Sequence, residues 1–101
     1  MIVYVDIDET ICMSPDNRDY SQATPLTKRI EKINKLHDEG NYIVFWTARG
    51  TGSGLDWEEI THSQLEEWGV KYHELKFQKP IYYIFICDKA IESNTFFNGG
   101  E

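Results

Sequence analysis

The chain begins MIVYVDIDET, residues 1–10, and that stretch decides the fold. Ile2, Val3, Tyr4 and Val5 form an unbroken apolar run. Such runs mark strands buried on both faces, as parallel sheets require. Asp6, Asp8 and Glu9 then follow almost at once. Clustered carboxylates repel one another and resist burial. Their place at the end of a core strand asks for a chemical reason.

The same pattern recurs along the chain. YIVFWT (42–47) is a second apolar run, ending on Thr47, and ARGTGSG (48–54) follows it. VKYHELKF (70–77) predicts a third strand, and IYYIFIC (81–87) a fourth that stops on Asp88. Between the first two runs, a helix is expected from Pro25, with Thr24 as its cap. Leu26, Ile30, Ile33 and Leu36 lie at helical spacing, and Gly40 suits a left-handed C-terminal cap. A second helix is expected after the glycine-rich loop. Asp56 and Glu59 have capping-box spacing. Trp57, Ile60, Leu65 and Trp68 line one side, and Gly69 ends the helix. AIESNTFF (90–97) reads as a short helical turn and then an edge segment. Residues 11–25 have turn composition and are long enough for a flap.

The order is strand, helix, strand, helix, strand, strand. It predicts a single α/β domain over residues 1–101. The expected architecture is three-layered and Rossmann-like, a mainly parallel sheet with helices on both faces. A chain of 101 residues leaves no room for a cap domain.

Composition narrows the partners. The net charge of −7 argues against nucleic acid, whose phosphates need clustered Lys and Arg. No stretch approaches the ~20 apolar residues of a membrane span. An acid at residue 6 argues against a signal peptide. Cys12 and Cys87 are too few for a disulfide framework and read as small buried hydrophobes. A reducing, cytoplasmic setting is expected. His37, His62 and His73 share no metal-ligand spacing and read as packed or surface histidines.

Parallel sheets bind ligands beyond the carboxyl ends of their strands. Asp6, Asp8, Thr47 and Asp88 fall at those ends, and Lys79 lies just before the fourth strand. A carboxylate can attack phosphorus, and a neighbouring acid can protonate the leaving alcohol. Three converging acids call for a bridging cation, and oxygen ligands of this kind suit Mg²⁺. Thr47 offers a hydroxyl to phosphate, and Lys79 offers positive charge. Arg49 reads either as a phosphate or sugar contact or as a surface arginine.

VYVDIDET, YIVFWT, KP (79–80) and IFICDKAIE resemble, in order, the four signatures of the haloacid dehalogenase superfamily. The resemblance spans residues 2–92. It implies an aspartyl-phosphate mechanism with Asp6 as nucleophile and metal ligand and Asp8 as general acid/base, its backbone carbonyl on the metal. It implies that Thr10 fixes the loop carrying both acids, that Thr47 binds phosphate, that Lys79 is the lysine, and that Asp88 is a metal ligand. An Asp at position 8 is typical of the phosphatase branch. The fourth signature often carries two acids. Here Cys87 and Lys89 flank Asp88, leaving Glu92 as the only candidate for the second.

TARG and KPIYYIFICDKAI resemble the small uncapped capsule or polysaccharide biosynthesis phosphatases of this superfamily. A Mg²⁺-dependent phosphomonoesterase acting on a sugar phosphate or related small-molecule ester is therefore expected. The alternative is a non-catalytic or weakly active phosphate- and Mg²⁺-binding module. An uncapped site is open to water, and a homo-oligomer would supply cover.

Overall fold

The structure, a computed structural model, describes residues 1–99. Three parallel strands form its sheet: β1 (Ile2–Val5), β4 (Tyr42–Trp46) and β5 (Glu74–Lys76), in the order β1-β4-β5. Ile2 pairs with Tyr42 and Val5 with Phe45; Val44 pairs with Glu74 and Trp46 with Lys76. Two short strands, β2 (Cys12–Met13) and β3 (Thr24–Pro25), pair antiparallel. They close the base of the 11–25 excursion, whose return limb carries a 3₁₀ turn at Tyr20–Gln22 just before β3.

Three helices complete the fold: α1 (Thr27–Asp38), α2 (Glu58–Glu67) and α3 (Ser93–Gly99). The α1 helix starts two residues later than Pro25, because Thr24 and Pro25 are held in β3. Gly40 at φ +98° and Gly69 at φ +70° adopt the left-handed conformation that ends α1 and α2. Asp56 accepts a hydrogen bond from the Glu58 N–H at 2.9 Å and covers a free donor at the start of α2.

All three helices contribute to one core. Ile30 and Ile33 of α1, Leu65 of α2 and Phe97 of α3 pack with Val5, Ile43 and Phe45. Val3 and Leu75 join them at the margin. Alternation along a strand places these sheet residues on one face. The opposite face carries Ile2, Tyr4, Tyr42 and Trp46, with Lys76 bonded to Tyr4 and Glu74 to Tyr42. Among the described residues, helices thus cover one face of the sheet rather than the two expected.

The fourth strand is absent. Residues 81–87 have no strand partner and project their side chains into solvent. The α3 helix replaces the expected edge segment, and Phe97 is buried. β5 covers only three residues in the second half of the predicted 70–77 run. Val70 N–H still bonds to Leu65 in the helix cap, and the His73 ring accepts the Ile43 N–H at 3.1 Å.

Candidate active site

Asp6 follows β1 directly, and the chain turns sharply after it. Ile7 and Ile11 are buried and pin the turn into the core. The Ile7 carbonyl accepts from the N–H groups of Thr10 and Ile11 and from the Cys12 thiol. Glu9 takes φ +58°, an uncommon conformation for a non-glycine residue. Its carboxylate meets Arg18 at 2.7 Å and accepts the Ser14 N–H at 3.3 Å. Glu9 is therefore an exposed loop-orienting acid. Thr10 stands behind the turn, its carbonyl held by Arg29 Nη1 at 3.1 Å.

Asp6 and Asp8 have different surroundings. Asp6 is partly open to solvent, accepts the Ile7 N–H at 2.9 Å and faces Lys79 Nζ at 3.6 Å. Burial raises its pKa, outweighing the opposing pull of Lys79. Asp8 is gripped by Arg49, Nε to Oδ2 at 3.0 Å and Nη2 to Oδ1 at 2.8 Å. The Ser14 hydroxyl also donates to it. Burial would raise the Asp8 pKa, but these hydrogen bonds and the guanidinium charge prevail and lower it.

Arg49 does not lie on the surface or reach toward an open phosphate position. Its side chain is fully enclosed. Nη1 donates to Thr61 at 3.0 Å and Gln64 at 2.6 Å, and the guanidinium lies 4.7 Å from the Tyr20 ring centroid. Gln64 in turn donates to the Tyr20 carbonyl at 2.6 Å. The 11–25 excursion is thereby fastened over the arginine. Ser14, Tyr20, Thr61 and Gln64 escaped the sequence reading.

Thr47 directly follows β4 beside the acids and is buried. Its hydroxyl oxygen accepts the Arg49 N–H at 3.1 Å, and its carbonyl accepts the Lys79 N–H at 3.1 Å. Thr51 donates to the Lys79 carbonyl at 3.0 Å, fixing the lysine at the rim. Gly50, at φ +83°, makes the tight turn; a Cβ there would collide with the Leu55 carbonyl. Beside this turn lies a recess of about 220 Å³, lined partly by Trp57, Phe77 and Gln78.

Asp6, Asp8, Thr47 and Lys79 thus come together at the carboxyl end of the sheet. Asp88 does not join them. It is 82% exposed and pairs with its neighbour Lys89 at 3.1 Å. Glu92 accepts the Asn94 and Thr95 N–H groups at the start of α3, so it serves as a helix cap. Cys87 is exposed, contrary to expectation, whereas Cys12 is buried and its thiol is pushed up to about 12 by burial. Among the described residues, no three His, Cys, Asp or Glu side chains converge as metal ligands. With Asp88 turned out to solvent and away from Asp6, the single chain does not fit the Mg²⁺ site that the resemblance implies.

No family model and no curated protein matches this chain. Two solved structures are similar. One is the crystal structure of a structural-genomics target from Vibrio cholerae. It is 26% identical with a TM-score of 0.84, over 96% of this chain and 87% of that one. The other is a chain of a Pnkp1/Rnl/Hen1 complex, 16% identical with a TM-score of 0.62. That match covers 99% of this chain but 34% of the other, and it speaks for the fold alone.

Proposed function

We propose that this protein is a haloacid-dehalogenase-type phosphomonoesterase on a Rossmann-like core, with Asp6 as its nucleophile. The observation that carries this reading is the pairing of a partly exposed Asp6 with Lys79 at 3.6 Å, beside Thr47 at the sheet's carboxyl end. Lys79 balances the negative charge that phosphate brings to a carboxylate. An Asp6 carboxylate oxygen attacks phosphorus, and the ester P–O bond breaks. The leaving alkoxide takes a proton from Asp8. Asp8 then removes a proton from water, which attacks the aspartyl-phosphate, releases phosphate and restores Asp6. For this, Asp8 must first leave Arg49 and pick up a proton.

The open rim suits a sugar phosphate or a similarly exposed small ester. Purified protein should release phosphate from such esters with Mg²⁺ supplied, and Asp6→Asn should abolish release. Unchanged turnover in Asp6→Asn would remove Asp6 as nucleophile. A second reading, a phosphate-binding module, draws support from the Arg49 grip, which holds Asp8 ionised and unsuited to donate a proton. Tungstate binding that is lost in Asp6→Asn, without turnover of any ester, would favour the module.

A further inference from the structure

Residues 81–91 form an arm whose character contradicts its setting. Ile81, Tyr83, Ile84, Phe85, Ile86 and Ile91 are all exposed, Ile86 to 93%. They present on the order of 1,000 Å² per chain, so two arms together match a standard protein interface. The composition is that of a buried strand. β1 has a free edge, since β4 lies on one side only. The other free edge, β5, is short and bears Glu74 and Lys76, which discourage pairing.

The arm cannot serve its own β1 as a parallel strand ending at the rim. Lys79 is fixed at the rim by Thr47, Thr51 and Asp6. A strand over 81–87 is ~23 Å long, so it would have to start at the opposite end of the sheet. Pro80 alone spans less than ~4 Å. Yet Asp88 must end near the rim of whichever copy holds α3. Asn94 bonds Arg29 Nη2 at 2.7 Å, and Arg29 Nη1 bonds the Thr10 carbonyl of the nucleophile loop.

Both constraints are met when two copies lie side by side with their sheets reversed. We propose that residues 81–99 exchange between two copies of this chain. The rim of one copy then adjoins the far end of the other's sheet. The arm runs along the partner's β1, and α3 sits on the partner's α1 through the same Phe97, Arg29 and Lys32 contacts. Asp88 then joins the partner copy's Asp6 at its rim, supplying the carboxylate that one copy lacks. The hinge already carries strain, with Gln78 at φ +65° followed closely by Pro80. The composite site rests on the phosphatase reading above; the exchange itself does not.

Light scattering after size-exclusion chromatography tests the exchange without reference to activity. The full chain should run at twice the monomer mass. Ile84→Lys should lower that mass to the monomer. Inserting about eight Gly/Ser residues between Lys79 and Pro80 should do the same, by letting the arm cross to its own β1. A monomeric wild type, or a dimer indifferent to both changes, would overturn the exchange. Asp6→Asn and Asp88→Asn proteins, unfolded together and refolded, test the shared site. Each mixed dimer holds one intact and one doubly altered site, so about one quarter of wild-type turnover should return. No return, from a wild type that is active and dimeric, would overturn the shared site. An inactive wild type would sink the phosphatase reading and leave the exchange to be judged by mass alone.

Discussion

Arg49 holds Asp8 by two hydrogen bonds, at 3.0 and 2.8 Å, from a side chain closed off from solvent. The pair joins the turn after β1 to the turn after β4. Thr61 and Gln64 extend it to α2, and Tyr20 to the excursion. Arg49→Ala should therefore cost about 3–5 kcal/mol, because it leaves Asp8 enclosed without a counter-charge. Urea denaturation measures this. A loss under 1 kcal/mol would mean that the grip contributes little.

The two acids should shift stability with pH in opposite directions. Asp8 has a lowered pKa, so its stabilisation is present above the unfolded value of 3.8 and fades as pH falls through its lower folded value. Asp6 has a raised pKa, so its contribution is full below 3.8 and is lost as pH rises through the folded value. Asp6→Asn should therefore raise the melting temperature at pH 7, and the gain should vanish below pH 3.8. A lower melting temperature for Asp6→Asn at pH 7 would contradict this.

Gly50→Ala puts a methyl group against the Leu55 carbonyl at a φ that L-residues disfavour. A loss of about 1–3 kcal/mol is expected, together with a displaced Thr47–Arg49 turn. Thermal melting reads the first. The chemical shifts of Thr47 and Thr51 read the second.

Phe97→Ala should undock α3 and cost about 3–5 kcal/mol, since the ring is nearly enclosed among Ile30, Ile33 and their neighbours. Hydrogen exchange should show α3 opening while β1 and β4 stay protected. Uniform loss of protection would mean that α3 and the sheet unfold as one unit.

The parts of the fold fixed by local pattern could be read from the sequence. Apolar runs and glycine caps located β1, β4 and both long helices, because period and capping depend on near neighbours. Asp6, Asp8 and Thr47 were legible as strand-end residues and Lys79 as the residue ahead of an expected fourth strand, and the structure brings the four together. Arg49 was not, because its acceptors are Asp8, in the turn after β1, and two residues of α2, and its aromatic cover lies in the excursion. One signal did exist: Thr61 and Gln64 are polar residues on the side of α2 that also carries Leu65 and Trp68, and a buried polar position asks for a partner. The 81–87 run shows the opposite failure. Its composition announces a strand, but no local pattern says which edge, or whose, it pairs with.

The parallel register that sets Ile2 beside Tyr42 also dictates an order of assembly. No rung between β1 and β4 can form until the chain has brought together residues forty positions apart. The entropy of closing that loop is lost before any strand contact offsets it. The α1 helix, built from near neighbours, can form and melt many times while β1 waits. The refolding rate should therefore follow the encounter of β1 with β4. Stiffening the excursion between Cys12 and Pro25 should speed folding more than strengthening any helix.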